Sequence, residues 1–399
     1  MPVLAQDAPS VEELWEIIQK QQAEIDDLKG DVKETDKKID ATADAVETAA
    51  GSAGDSKLSI GGYGEVHYNN LQNRGEGAAR ERKEEVDIHR FVLFFNYAFS
   101  DSVRFFSEVE IEHALAGEGK NGEVEIEQAF IEWDLAESQR AKAGVFLVPV
   151  GILNETHEPN TFYGVERNNV EKNIIPSTWW EAGLGLSGEF GAPGLSYDIG
   201  LHSGLESFNG TEYRGTRSGR KKVSEAPASD LAGTGRIKYT GVAGLELSAT
   251  LQYQNDVMQG AEFVSGSEVA EGISATLLEA HAIYNTGPFS IRALYAQWDL
   301  DDDVELLVNG AGADKQKGWY VEPSFKVTSD IGVFARYSVW DTAAGDSAES
   351  EYIQTDIGIN YWLTPEVVFK ADYQLMEGPD AENGSNEFNG FNLGVGWAF

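Results

Sequence analysis

Cysteine is missing from this 399-residue chain, and methionine occurs only three times. The lack of cysteine excludes disulfide frameworks, cysteine-ligated zinc, iron–sulfur clusters and thiol catalysis. Basic residues are scarce, because 30 Lys and Arg stand against 67 Asp and Glu, a formal net charge of −37. Nucleic-acid binding requires a basic surface, so this balance argues against a DNA or RNA partner.

Long apolar runs are also missing, since no stretch of 18 or more apolar residues could form a transmembrane helix. Residues 1–10 have neither a basic n-region nor an apolar h-region, although Val3-Leu4-Ala5 before Gln6 resembles a signal-peptide cleavage site. We expect residues 1–10 to be a residual leader or a flexible segment. The aromatic content of 11% and the 43 glycines favour strands and turns.

Residues 11–49 carry a seven-residue repeat with β-branched residues at every a position, as coiled coils prefer, and more polar d positions. The apolar stripe is narrow for a helix packed on a domain. The pattern therefore favours a coiled coil over a single amphipathic helix, and with it a homo-oligomer. Residues 50–57 form a linker. The a positions are Val11, Ile18, Ile25, Val32, Ile39 and Val46.

Residues 58–399 change to a period of two, in which apolar and polar side chains alternate, as in Leu245 to Gln254. One segment changes parity near Glu127, which indicates either a β-bulge or a strand start that protrudes beyond the lipid. Most segments have ten to fourteen residues, enough to cross a bilayer when tilted. The sixteen segments lie near 58–69, 86–99, 102–113, 123–135, 139–148, 178–190, 195–204, 233–240, 244–255, 275–286, 288–299, 317–327, 331–341, 351–362, 365–376 and 388–399.

The connections between these segments alternate between eight long loops and seven tight turns. This is the pattern of an up-and-down barrel, not of a Greek-key sandwich. We therefore predict an all-β fold, a 16-stranded antiparallel transmembrane β-barrel preceded by an N-terminal α-helical coiled coil. Outer-membrane barrels place their short turns in the periplasm, which would also hold the coiled coil. A soluble β-protein on a coiled coil is the alternative, and it would need no detergent.

Strand parity assigns ten basic and ten acidic side chains to the barrel lumen, so most of the net charge belongs to the loops and the coiled coil. Acidic loops concentrate cations near a pore mouth, and we therefore expect little selectivity or a weak cation preference. The inward side chains are Arg90, Arg104, Arg140, Lys142, Arg236, Lys238, Arg292, Lys326, Arg336 and Lys370, and Glu108, Glu110, Glu181, Glu189, Asp198, Glu246, Glu279, Glu322, Asp356 and Asp372.

Four stretches carry a family resemblance: Arg90 to Phe99, Ala129 to Asp134, Gly144 to Leu153, and Asn360 to Gln374. Through them the chain resembles the phosphate-selective porin O/P family of Gram-negative outer membranes. The resemblance implies a trimeric sixteen-stranded porin whose Phe399 is read by the barrel-assembly machinery. It also implies that loop 149–177 folds inward and narrows the pore.

This chain departs from the family in one segment, because Leu147 stands where the family has a basic residue. Phosphate selectivity is therefore an alternative to a non-selective pore. A basic ladder beside the loop would favour it, whereas arginines paired with wall carboxylates would merely hold the loop. We take the pore-lining or constriction residues to be Arg104, Arg140, Lys142, Glu155, His157, Glu158, Glu166, Arg167 and Lys172.

Three other motifs give weaker evidence of function. Gly183 to Gly188 fits G-x-G-x-x-G but lies within a strand pattern, which argues against nucleotide binding. The Asp299, Asp301 and Asp303 series opens like a calcium loop, but Val304 and Gly310 replace the expected Gly and Glu, so it is a weak calcium candidate. A basic cluster in loop 205–232 is interpreted as a solvated or lipopolysaccharide-contacting loop. It consists of Arg214, Arg217, Arg220, Lys221 and Lys222.

The six histidines are scattered along the chain, without H-E-x-x-H and without a close pair. His157, between Glu155 and Glu158, is the best catalytic candidate, but we expect no enzymatic activity, no cofactor and no metal requirement. The sequence predicts an outer-membrane porin for passive diffusion. The alternative is a tether that joins the outer membrane to the cell wall. Expected partners are further copies of the chain, outer-membrane lipid and lipopolysaccharide, the assembly machinery at Phe399, and peptidoglycan at the stalk.

Overall fold

The computed structural model describes residues 57–75, 81–379 and 387–399. The predicted leader, the coiled coil over 11–49 and residues 50–56 of the linker lie outside these ranges. Residues Ile60–Phe399 form one structural unit. Within the ranges given, no helix is long and apolar enough to cross a membrane.

The described ranges contain eighteen strands, one α-helix and two short 3-10 helices. The helix α1 is Asn169–Asn173, and the 3-10 helices are Arg217–Gly219 and Asp302–Leu306. The strands are β1 (Leu58–Asn73), β2 (Arg82–Ser100), β3 (Val103–Glu112), β4 (Val124–Ala136), β5 (Gln139–Leu147), β6 (Trp180–Glu189), β7 (Leu195–Ser203), β8 (Leu231–Val242), β9 (Leu245–Gln254), β10 (Glu262–Ser265), β11 (Glu268–Glu271), β12 (Ala275–Thr286), β13 (Phe289–Leu300), β14 (Lys315–Lys326), β15 (Ile331–Asp341), β16 (Tyr352–Thr364), β17 (Val367–Glu377) and β18 (Phe388–Ala398).

Sixteen of these strands form a closed antiparallel barrel, which confirms the predicted fold class for this part of the chain. Each barrel strand pairs with its neighbours in sequence, except that β9 pairs with β12. The intervening β10 and β11 form a separate hairpin within the long loop between them. The barrel closes where β1 pairs with β18, and there Phe399 N donates to Gly62 O at 2.8 Å.

The parity change predicted in β4 is a bulge at Glu127. Glu108 of β3 pairs with Gln128, whereas the next residue, Val109, pairs with Ile126. Glu127 is therefore the extra residue, and its side chain is almost completely buried. The bulge lets Ile126 stay exposed on the outer side while the parity of the strand reverses.

The alternation along β9 shows which side chains face each way. Leu247, Leu251 and Tyr253 are 43–53% exposed, whereas Thr250 and Gln252 between them are buried. Successive side chains of a strand point to opposite faces, so the apolar residues form the outer face and the polar residues line the interior. The same arrangement recurs in β16 and β17.

An apolar core occupies part of the barrel interior, which strand parity did not predict. The inner faces of β12, β13 and β14 contribute apolar side chains that pack against residues of the long loops. Because these loops fold over the wall and exclude water, the wall beneath them is apolar. The core includes Val148, Ile174, Trp179, Leu205, Phe208, Met258, Leu277, Leu294, Trp298 and Tyr320.

Candidate pore constriction

The connection between β5 and β6, residues 148–179, is the constriction loop. It folds into the barrel and reaches the opposite wall, as the resemblance implied for residues 149–177. Val165 N donates to Asp372 Oδ2 of β17 at 2.6 Å, and Asn360 Nδ2 of β16 donates to Phe162 O at 3.1 Å. These contacts fix the loop across the barrel and narrow the interior at this level.

Glu171 anchors the constriction loop. Its carboxylate accepts hydrogen bonds from the backbone N–H groups of Ile152 and Leu153, at 2.9 and 2.6 Å, and from the Tyr320 hydroxyl at 2.8 Å. The loop begins α1 at Asn168, whose side chain accepts from Glu171 N at 2.9 Å. Glu171 is completely buried, and burial raises the pKa of this carboxyl against the opposing effect of its hydrogen-bond donors.

A glycine in the wall makes room for the loop. A Cβ atom at Gly318 of β14 would lie 2.9 Å from Ile174 Cγ1 and 3.0 Å from Val170 Cγ1, which is closer than side chains normally pack. A glycine here therefore lets the loop that carries Ile174 and Val170 approach the backbone of the strand. Trp298 of β13 donates to Ile174 O at 2.7 Å and completes this seam.

Buried arginines in the middle of the barrel pair with carboxylates of neighbouring strands. Arg336 is 4% exposed and lies 3.1 Å from Glu322 and 3.0 Å from Asp356. Arg90 of β2 lies 2.8 Å from Glu65 of β1. Buried charges require such partners. These arginines therefore support the wall.

Three predicted basic residues do not form a ladder along the constriction loop. Arg104 pairs with Glu132 at 2.9 Å, close to the tight turn before β3. Arg140 lies close to the turn before β5, with a side chain that is 61% exposed and 3.6 Å from Asp134. Lys142 places its amine 4.4 Å from the ring centre of Phe146. These three residues therefore do not form the row of basic side chains along the constriction loop that the phosphate hypothesis requires.

The predicted residues Glu155 and His157 of the constriction loop contact the barrel wall. Glu155 pairs with Arg236 of β8, which holds the pKa of Glu155 below its usual range although burial opposes this shift. His157 Nε2 lies 3.3 Å from Glu108 Oε1 and 3.6 Å from Glu127 Oε2, and all three side chains are buried. Glu158 contributes its backbone carbonyl, which accepts from Thr161 N at 3.0 Å.

Glu166, Arg167 and Lys172 lie together at a cavity of about 480 Å³ between the constriction loop and the wall. Glu166 Oε1 is 3.2 Å from His67 Nδ1 and accepts from Asn69 at 3.1 Å. The cavity is lined by seven Lys or Arg side chains and five glutamates, so its lining is positive although the chain is acidic. The basic residues are Lys83, Arg90, Arg167, Lys172, Arg217, Arg220 and Lys222, and the acidic residues are Glu65, Glu112, Glu125, Glu127 and Glu166.

The loop between β7 and β8, residues 204–230, carries the basic cluster. The sequence predicted that this cluster is solvated, but part of it folds inward. Arg217 Nη1 donates to Lys172 O at 2.6 Å and to Ser177 O at 3.1 Å, and Arg220 Nη1 donates to Thr178 O. The loop therefore folds over the constriction loop and brings these guanidinium groups to the cavity. Burial, reinforced by the neighbouring Arg220, lowers the pKa of Arg217 to about 9.

Other members of that cluster stay nearer the surface or are paired. Lys222 Nζ donates to Glu123 Oε2 at 2.8 Å and also to Glu125, and Lys221 lies 2.8 Å from Glu206. Arg214 is exposed. The cluster thus divides, and Arg217 and Arg220 carry its positive charge to the cavity.

The weak calcium candidate does not assemble into a site. Asp301 caps the short 3-10 helix by accepting from Asp303 N at 3.1 Å, whereas Asp299 accepts from the Gln297 side chain at 2.8 Å. Their carboxylates therefore serve different local hydrogen bonds. This explains the acidic series without a cation.

Glu65 and Glu127 were missing from the predicted lumen set, although both line the cavity. Strand parity in β1 would have identified Glu65, because it shares a face with Tyr63 and His67. Glu127 required the bulge to be placed to the residue. The histidines are scattered along the sequence, but strand pairing brings His67, His89 and His113 into a row.

No family model matches this chain. The chain is 30% identical over 348 residues to an uncharacterized protein of Aquifex aeolicus (strain VF5), and the match covers 79% of this chain and 75% of that protein. The chain belongs to the same family as that protein.

The fold is also that of solved outer-membrane porins. OmpF of Salmonella typhi matches with a TM-score of 0.57 at 14% identity, covering 86% of this chain and 98% of that chain. The anion-selective porin of Comamonas acidovorans matches with 0.56 at 14%, covering 86% and 100%. In vitro folded OmpT of Vibrio cholerae, in its trimer form, matches with 0.56 at 13%, covering 86% and 100%. At these identities, the likeness shows the porin-type barrel.

Proposed function

We propose that this protein is an outer-membrane channel through which small hydrophilic solutes diffuse passively. The observation that carries the proposal is the closed barrel, which is apolar outside and lined by charged and polar groups. In water, a continuous outer belt of Leu, Ile, Phe and Tyr would be an aggregation surface. In a bilayer, the same belt is solvated by hydrocarbon, and the interior remains hydrated.

Conductance in planar bilayers tests this proposal directly. We expect purified protein to insert and give stepwise ionic currents, because charged and polar side chains line the cavity beside the constriction loop. The tether alternative predicts insertion without conductance steps. A barrel that inserts, as shown by protease protection in liposomes, but never conducts would therefore overturn the channel and favour the tether.

We propose that the channel prefers small anions. This differs from the weak cation preference that the total charge of the chain suggested. Arg167, Arg217 and Arg220 donate to neutral backbone or hydroxyl oxygens at the cavity. Among the residues the structure describes, neither these three nor Lys172 forms an ion pair. Guanidinium groups with free donors suit oxyanions such as phosphate, in keeping with the phosphate-selective porin O/P resemblance.

Reversal potentials in a salt gradient distinguish the two preferences. We expect anion preference in the unmodified protein and a shift toward cations in Lys172→Gln and Arg220→Gln. Arg140→Gln is the matched control, because Arg140 is exposed near a tight turn, and it should leave the reversal potential unchanged. Cation preference in the unmodified protein would support the expectation from acidic loops and overturn the assignment.

We also propose a trimer whose coiled coil, residues 11–49, lies in the periplasm. The heptads supply the assembly argument, and the trimer form of Vibrio cholerae OmpT shows that a barrel of this fold can form one. Chemical cross-linking of membranes tests the proposal, with and without residues 11–49. A cross-linked trimer in the full chain is expected, and a monomer in both forms would contradict it.

A further inference from the structure

Three of the six histidines form a row at the pairing of the first three strands. His67 belongs to β1, His89 to β2, and His113 follows the end of β3. The rings of His67 and His89 stack with centroids 4.5 Å apart, and His89 meets His113 edge-on at 5.9 Å. Imidazole is a common ligand of transition metals, and a nearby carboxylate could complete a ligand set.

Asp87 stands between two of these histidines. Its Oδ2 atom is 2.7 Å from His113 Nδ1 and 3.5 Å from His89 Nδ1. One ligand atom from each residue can be chosen so that all three lie within 4.8 Å of one another. The side chains are 22–37% exposed. A cation bound here would therefore keep positions for water.

The site also has an entrance. Asp87 and His113 line a cavity of about 440 Å³ near the loop that joins β3 and β4. Glu85 lines the same cavity and adds negative charge, and Lys120 is the one cationic side chain in the lining of this described cavity. A hydrated cation can reach Asp87 and His113 from this side, and the His89 ring lies next to both.

We propose that Asp87, His89 and His113 bind one divalent transition-metal cation, such as Zn²⁺ or Cu²⁺. Two imidazoles and one carboxylate suit these metals, whereas Ca²⁺ and Mg²⁺ prefer oxygen ligands. The cation would lie between His113 Nδ1 and Asp87 Oδ2, which are 2.7 Å apart without it, because metal ligands bind in their deprotonated forms. It joins β2 to the segment that follows β3.

Two other groups of side chains fit less well. His67, His89 and Glu166 also meet the distance criterion, but this group faces the cavity lined by Arg90 and Lys172. Nearby positive charge opposes cation binding. Both ring nitrogens of His67 already lie near carboxylates, at 3.1 Å from Glu65 and 3.2 Å from Glu166.

The group formed by Glu108, Glu127 and His157 is completely buried. His157 Nδ1 lies 3.1 Å from Asn154 O, which occupies one ring nitrogen with the loop backbone. This group therefore fixes the constriction loop to the wall. The Asp87 group is the one whose ligands are both preformed and open.

Metal titration tests the proposal on the full chain. The protein should be free of affinity tags and lipopolysaccharide, because both bind cations, and should be stripped with EDTA. Isothermal titration with ZnCl₂ is expected to show one site per chain. His113→Asn and Asp87→Asn should weaken Zn²⁺ binding about tenfold or more, as removal of metal-site groups commonly does.

His67→Asn is the matched control, since it alters the same histidine row but leaves the proposed ligands in place, and it should bind Zn²⁺ normally. Heat-dependent gel migration verifies that each variant is a folded barrel. Cu²⁺ electron paramagnetic resonance should show coupling to two imidazole nitrogens. The proposal is overturned by unchanged binding in His113→Asn, by loss confined to His67→Asn, or by no binding in the unmodified chain. These readouts do not depend on conductance, so the site and the channel can fail separately.

Discussion

The middle of the barrel and its turn end use the same residue types in different ways. In the middle, Arg336 is 4% exposed and lies between Glu322 and Asp356. At the turn end, the side chain of Arg140 is 61% exposed and only 3.6 Å from its nearest carboxylate. The first arrangement fixes neighbouring strands, whereas the second is solvated and screened by salt.

This difference shows why a count of lumen charges does not give selectivity. Paired charges in the middle neutralise one another, and those at the turn end act weakly on a passing ion. Lys172, Arg217 and Arg220 at the cavity form no ion pair among the described residues. Under the proposed anion preference, these three charges are the ones expected to act on a solute.

Arg336→Met should produce the largest effect, because it leaves two carboxylates buried without their partner. We expect a loss of about 3–5 kcal/mol in the free energy of unfolding, the range for a broken buried ion pair. Urea unfolding in detergent, followed by tryptophan fluorescence, measures it. Adding Glu322→Gln and Asp356→Asn should recover most of the loss, and a triple variant as unstable as Arg336→Met would contradict the explanation.

Glu171→Leu should release the constriction loop, because four donors, from Ile152, Leu153, Asn168 and Tyr320, lose their acceptor. Each hydrogen bond to a charged group contributes about 1.5–3 kcal/mol, so the docked loop should become only one of several states. We expect larger and noisier single-channel conductance with the barrel intact. Glu158→Leu is the control, because the observed loop contact of Glu158 uses its backbone carbonyl. Equal conductance in both variants would argue against the anchor.

Lys172 should make anion preference depend on pH. The surrounding barrel desolvates its amine, and despite the opposing effect of Glu166 the pKa of Lys172 lies below its ordinary value. A base with a lowered pKa loses its charge at a lower pH. The anion preference should therefore decline as pH rises, at pH values below the usual lysine pKa near 10.4. One charge at about 4 Å in water contributes roughly 1 kcal/mol, or about fivefold in permeability ratio.

The matched variant for this titration is Lys172→Arg, which stays charged over the same pH range. Its reversal potential should be independent of pH up to about pH 10. If Lys172→Arg and the unmodified protein show the same pH profile, another group is responsible.

Arg104→Met should have the smallest effect. Its ion pairs are partly exposed and lie near a turn, so we expect a loss of about 0.2–1 kcal/mol in the free energy of unfolding. The same urea titration measures it beside Arg336→Met. A loss as large as that of Arg336→Met would mean that the position of an arginine along the barrel does not determine its contribution to the free energy of unfolding.

The strands could be predicted because each contains its own signal. The alternation from Leu245 to Gln254 fixes both the strand and its outer face, and the parity change near Glu127 locates the bulge. The order of strands followed from the lengths of the connections. These features are encoded by residues close together in the sequence, so they can be predicted without knowledge of the rest of the fold.

The site could be predicted only in part, because its contacts join distant segments. The family resemblance placed Glu166, Arg167 and Lys172 in a loop that narrows the pore, but nothing periodic in residues 204–230 indicates that Arg217 folds onto Lys172. The histidine row likewise depends on the register of three strands. An error of one residue in that register would move His89 away from Asp87.

The seam between β1 and β18 has a consequence for biogenesis. Asn69 donates to Asn392 across it at 2.9 Å, although 323 positions separate the two residues. No fragment emerging first can complete this pairing, so sealing is a late, slow event that follows synthesis of the last strand. Until then, both strands expose unpaired backbone N–H and C=O groups, which can pair with strands of other chains.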